Sequence, residues 1–118
     1  MQRLAITLSF SILLAACGNQ CENEVLSSAV APSGRIKAVV FQRGCGATVG
    51  ANTQVSILPA QEALPNESGN VLIADGLQTP ILFWRSDSQL EIHTASSEQT
   101  FKRETSFGGV SINYKTGS

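Results

Sequence analysis

The sequence predicts an all-β domain: a small antiparallel sandwich or partly open barrel of about six or seven short strands, following a signal peptide. Three observations predict it. Short apolar or alternating runs recur at roughly 8–12-residue spacing, each bounded by Gly, Pro, Asn, Asp or Ser. No segment carries an apolar stripe at helical period over three turns. No internal repeat of roughly 20–50 residues points to a solenoid.

The chain opens MQRLAITLSFSILLAACGNQC. Arg3 precedes an apolar run from Leu4 to Ala16 that ends in small residues, the pattern of a secretory signal rather than of structure. The 13 residues from Leu4 to Ala16 are too few to span a bilayer, where a helix needs roughly 20. Leu14-Ala15-Ala16-Cys17 resembles the lipobox of bacterial lipoproteins. That resemblance implies a diacylglyceryl group on the Cys17 sulfur, cleavage before Cys17 and acylation of the new amino terminus. Ordinary cleavage with release of a soluble protein is the weaker reading, because it places bulky Leu14 where a small residue is preferred. Two or more acyl chains hold a protein durably, at about 0.8 kcal/mol per buried methylene. Gly18 stands where the family's inner-membrane retention signal is an aspartate. The resemblance therefore implies an outer-membrane anchor facing the periplasm where the cell has an outer membrane.

The expected division is a signal peptide over 1–16, a lipidated tether over 17–24 and one β domain over 25–118. The mature chain of 102 residues carries seven Lys plus Arg against nine Asp plus Glu, a charge of −2. No basic stripe exists to neutralise phosphates, which argues against a nucleic-acid partner. With Cys17 consumed by lipid, Cys21 and Cys45 remain, and export brings them to an oxidising compartment where thiols pair. A Cys21–Cys45 disulfide is expected, worth on the order of 3 kcal/mol to so small a domain. A metal site is the competing reading, but the chain has one histidine, His93, and no CxxC pair.

Within the domain, Val25–Val30 and Arg35–Phe41 flank Ala31-Pro32-Ser33-Gly34, where proline fixes φ and glycine permits a positive one; together they read as a hairpin. Thr53–Ile57 alternates strictly, placing Thr53, Val55 and Ile57 on one face. Residues 59–70, PAQEALPNESGN, read as an exposed loop. Val71–Ala74 is a short strand ending at Asp75-Gly76. Ile81–Trp84 and Leu90–His93 flank a turn at Arg85–Ser88. Phe101–Thr105 is a further candidate strand, and Gly108-Gly109 introduces Val110–Tyr114, the cleanest alternation in the chain.

The most distinctive stretch is RGCGATVGANT, residues 43–53. A phosphate loop needs a lysine and a following helix, and a dinucleotide loop needs its own glycine spacing and helix; here a strand follows, so no nucleotide cofactor is expected. Two readings of the loop remain. Small residues let the chain turn sharply while Cys45 pins it to the tether. Alternatively Arg43, Gly44, Gly46, Thr48, Asn52 and Thr53 form a contact loop whose backbone amides receive an anion or a peptide edge.

Catalytic signals are sparse. His93 falls on the polar face of an alternating strand, where solvent exposure is expected, and neither GxSxG nor HExxH occurs. No enzyme and no cofactor are expected. Trp84 sits in an apolar run and reads as core rather than as a ligand platform. Asn66-Glu67-Ser68 fits a glycosylation sequon, taken as chance in a bacterial-type export product.

Pro32-Ser33-Gly34 before a strand, and Trp84 just before Ser86-Asp87-Ser88, resemble the punctuation of β-propeller blades, although one or two blades cannot close a ring. The stretch PSGRIKAVVFQRGCGATVGANTQVSILP, then GNVLIADG and LFWRSDSQLEI, resembles a group of uncharacterised small bacterial lipoproteins. Their pattern looks like SPDGKYKAVVFxRxCGATTxxxTQVSIL; Ser33 replaces its aspartate and Val49 its second threonine. The resemblance covers about Pro32 to Ile92 and implies an envelope lipoprotein. The expected role is a membrane-anchored, non-enzymatic module that binds a protein or envelope component through a sheet edge or the glycine loop. The alternative is a periplasmic inhibitor or immunity protein against a toxin or cell-wall hydrolase.

Overall fold

A computed structural model of the chain describes residues 21–46, 50–94 and 99–116. Their strands are β1 (Glu22–Val30), β2 (Ile36–Gly44), β3 (Asn52–Pro59), β4 (Leu72–Ala74), β5 (Ile81–Ser86), β6 (Gln89–Thr94), β7 (Thr100–Arg103), β8 (Ser106–Phe107) and β9 (Val110–Thr116). Sheet A has the order β1-β2-β3-β4-β7 and sheet B the order β5-β6-β9-β8. The fold is an all-β sandwich, so of the two expected architectures the open barrel is set aside. Nine strands stand where about six or seven were expected; of these only β8, of two residues, had no segment marked in the sequence, being set by its pairing with β9.

The first hairpin forms where the Pro-Gly turn predicts it, with Gly34 at φ 80°. β1 starts at Glu22 and not at Val25: Glu22, Asn23 and Glu24 pair with Gly44, Arg43 and Gln42, and so belong to the sheet and not to the tether. A bulge between Val25 and Ser27 shifts the register and lets Leu26 pack on the core. β3 places Thr53, Val55 and Ile57 inward as expected. Ala38 and Val40 join them from β2, and Leu90, Ile92, Val110 and Ile112 face them from sheet B. Each Val, Leu or Ile side chain among them contributes about 1.5–3 kcal/mol on burial.

Residues 59–70 form an exposed loop, as expected, apart from the buried Gly69 and the partly buried Ala60, Leu64 and Asn70. The outer face of β3 is not exposed: Gln54 and Ser56 are buried beneath residues 60–71, which fold back over sheet A. Gln54 Oε1 accepts from Gly69 N at 2.6 Å and Ser56 Oγ from Asn70 N at 3.0 Å. The Asn70 side chain in turn bonds both Ile57 N and Ile57 O. Leu64 closes a second small core over Val39, Phe41 and Leu58. The Asn70 side chain thus satisfies the backbone of β3, while Gln61, Glu62, Asn66, Glu67 and Ser68 remain exposed. Gly69 is required at the crossing, since a Cβ there would stand 2.8 Å from Val55 O and 2.9 Å from Leu72 O.

The sheets are also not wholly antiparallel. β6 and β9 pair in parallel, because the chain leaves β6, crosses to β7 in sheet A and returns through β8; a parallel pair requires a crossover of that kind. β8 turns into β9 through Gly108 and Gly109, both at positive φ, as a two-residue turn of type I′ requires. The two sheets are tied at one end by Ser33 N donating to Asp87 Oδ1 at 2.8 Å, which joins the two turns that carry the propeller-like punctuation.

Candidate functional site

Cys21 and Cys45 form a disulfide across a separation of 24 residues. They lie one rung beyond the Glu22–Gly44 pair, so the hairpin is closed by a turn at one end and a bond at the other. Cys17, the expected lipid site, lies outside the described residues, as does Thr48.

The remaining residues of the expected contact loop do not converge on an open surface. Arg43 Nη1 donates to Asn23 Oδ1 at 2.8 Å and to Asn66 Oδ1 at 2.9 Å, while Asn66 Nδ2 donates to Cys21 O at 3.0 Å. Arg43 thus ties β1 and β2 to the segment that covers sheet A. Thr53 is fully buried; its Oγ1 donates to Gly76 O at 2.9 Å and accepts from Gln78 N at 2.8 Å, holding the crossing from sheet A to sheet B. Asn52 Oδ1 accepts from Gln54 Nε2 at 2.7 Å. Gly44 and Gly46 border a hollow whose charged side chains are Glu22 and Glu24, the wrong sign for an anion. The sequence placed Arg43 and Thr53 beside freed amides, whereas the fold spends their polar groups on its own backbone and side chains.

The polar side chains that do converge lie on the outer face of sheet B. The register sets Phe83 opposite Glu91 on β6 and Glu91 beside Asn113 on β9, with Gln89 beside Ser111 and His93 beside Lys115. Arg85, at the β5 bulge, donates from Nη2 to Glu91 Oε1 at 2.9 Å. His93 Nε2 lies 3.0 Å from the same oxygen; an ionised carboxylate only accepts, so Nε2 carries the proton. The Phe83 ring lies 4.7 Å from the imidazole, and the Arg85 guanidinium 5.9 Å from the Phe83 centroid. His93 is therefore half-buried within a network, not simply solvent-exposed.

Hydrogen bonds from Arg85 and then His93 hold the Glu91 carboxyl down at about 2, against the opposing effect of burial. The same pair raises the Arg85 guanidinium further. Glu91 therefore stays ionised and fixes the side chains around it. A groove of about 430 Å³ opens beside it, lined by Arg85, Gln89, Glu91, Thr105, Ser111 and Asn113 among others.

Trp84 belongs to the core side of β5, as expected: it packs on the main cluster and its Nε1 donates to Ala29 O at 2.8 Å. That bond bridges the sheet edges formed by β1 and β5. A second hollow, of about 340 Å³, lies along this seam between Ser27–Ala29 and Thr79–Leu82. The alternation in LEIH and ILFWRS put Glu91 with His93 and Phe83 with Arg85. The turn at Arg85–Ser88 also paired β5 with β6; what the sequence did not disclose was that β9 would lie beside β6. Comparison with protein-family models, with curated proteins and with solved structures finds no match for this chain.

Proposed function

We propose that this protein is a membrane-anchored envelope lipoprotein whose β-sandwich acts as a non-enzymatic binding module. The observation that carries the reading is the Cys21–Cys45 disulfide placed four positions after Cys17. Disulfides persist in oxidising compartments and are rare where thiols are kept reduced, in agreement with an N-terminal signal ending in Leu-Ala-Ala-Cys. The anchor would be acyl chains on Cys17, with the domain facing the periplasm from an outer membrane where the cell has one.

The binding surface in this reading is the exposed part of the sandwich and not the glycine loop, where Arg43, Asn52 and Thr53 are already bonded within the fold. Support comes from the ordered outer face of sheet B, where an ionised Glu91 fixes Arg85 and His93 around a half-exposed Phe83. His93 supports that network through its bond to Glu91.

The test is metabolic labelling with a palmitate analogue, together with capture of crosslinked partners from envelope extract. Label that depends on Cys17, and a partner lost when the outer face of sheet B is altered, are expected. An unmodified full-length product in the cytosol overturns the reading. Protection from a toxin or wall hydrolase that vanishes in a deletion strain would replace it with an inhibitor or immunity role.

A further inference from the structure

We infer that the groove on the outer face of sheet B, between Arg85, Glu91 and Asn113 and beside Phe83, binds a neutral saccharide. This rests on the binding-module reading and gives it a ligand class. At about 430 Å³ the groove falls within the roughly 300–1,000 Å³ of small-ligand sites, enough for one or two sugar rings.

The chemistry of the lining selects the ligand. The amides of Gln89 and Asn113 and the hydroxyls of Ser111 and Thr105 each offer both a donor and an acceptor, which suits a molecule rimmed with hydroxyl groups. The formal charges cancel locally, because Arg85 and Glu91 are bonded at 2.9 Å. The bonded pair therefore presents no net formal charge to attract an ion of either sign, and hydroxyl groups suit the polar lining better. The bonds from Arg85 and His93 both fall on Glu91 Oε1. Among the described residues Oε2 has no bonded donor, although the side chain is only 11% exposed, and a ligand hydroxyl supplies one. Phe83 stands outside the groove's lining, directly across from Glu91 and 42% exposed, and offers an apolar ring to the C–H face of a sugar that extends past Glu91. A peptide strand is a poorer fit: β6 is already paired on both sides, so no free ladder exists there for strand addition.

The experiment uses the full isotope-labelled chain in detergent micelles, titrated separately with N,N′-diacetylchitobiose and maltose and followed by backbone amide shifts. Saturable shifts at residues 83, 91, 111 and 113 are expected with at least one sugar. Phe83→Ala should weaken binding about tenfold, and Asn113→Ala should weaken it as well. Ser28→Ala on the β1 edge should leave it unchanged, and each variant's own spectrum reports that it is folded. No saturable shift with either sugar, shifts indifferent to Phe83→Ala, or shifts given instead by sulfate or an acidic peptide would overturn the assignment. Cys17 labelling and envelope capture are read separately. A captured partner without sugar binding removes only the saccharide, whereas the loss of both removes the binding module too.

Discussion

Replacing Cys21 and Cys45 together by serine tests how far a single bond stabilises this small domain. The bridge closes a separation of 24 residues. The chain-entropy relation, with a constant of about 2.1 cal/mol/K and 1.5R ln n for the loop, gives roughly 11.6 cal/mol/K, or about 3.4 kcal/mol at 25 °C. That is a large share of the roughly 5–15 kcal/mol typical of a domain. The register shows why the full figure should appear: the cysteines occupy the next rung after Glu22–Gly44, so removing the bond leaves the ladder in place and acts on the unfolded chain. Urea unfolding followed through Trp84, the single tryptophan, should show a midpoint lower by about 1–3 M. Reduction of the unaltered protein should reproduce the loss. Hydrogen exchange should quicken first at Glu22–Val25, the part of the edge strand nearest the missing bond. A loss under about 1 kcal/mol would refute the argument, since the unfolded chain would then be restrained by something other than the bridge.

Three further outcomes follow from particular contacts. The Glu91 carboxyl is held near 2 against an ordinary 4.5, so its contribution is complete above about pH 4.5 and is lost as pH falls toward 2, where the unfolded chain binds the proton first. Glu91→Gln should flatten that part of the acid limb in thermal melts recorded across the window; an unchanged limb would remove Glu91 as its source. Thr53→Val keeps the shape but leaves Gly76 O and Gln78 N without their Thr53 partner; a loss of about 1–3 kcal/mol is expected by urea titration. Gly69→Ala drives a Cβ against two backbone oxygens and should cost about 1–3 kcal/mol, whereas Gly50→Ala, with open space around it, should be near neutral in the same assay.

The strands with strong local signals were legible. Arg35–Phe41, Thr53–Ile57 and Val110–Tyr114 carry β-branched alternation between glycine- and proline-bearing turns, and such patterns fix a strand whatever its neighbours are. The disulfide was legible as well, because the expected lipid site sets Cys17 apart and two cysteines then remain. The segment over 59–70 was legible as an exposed loop, since Gln, Asn, Glu and Ser are frequent in it; the bonds of Gly69 and Asn70 were not. Their partners, Gln54 and Ser56 on β3, become apparent only once the segment lies across the sheet. The bonds of Arg43 and Thr53 were not legible, because Asn66 and Gly76 are distant in sequence and only the fold brings them within bonding distance.

By itself the sequence determined the class of fold, its first and last strands, the inward face of β3 and the covalent tie between Cys21 and Cys45. Each of these depends on residues that are near neighbours along the chain or unique in type. Tertiary structure alone decided that β6 lies parallel to β9, that Phe83, Glu91 and Asn113 share a row, and that Arg43 turns inward. Those outcomes depend on which strands become neighbours, and pairing free energy is shared among contacts far apart in sequence, so no local pattern carries it.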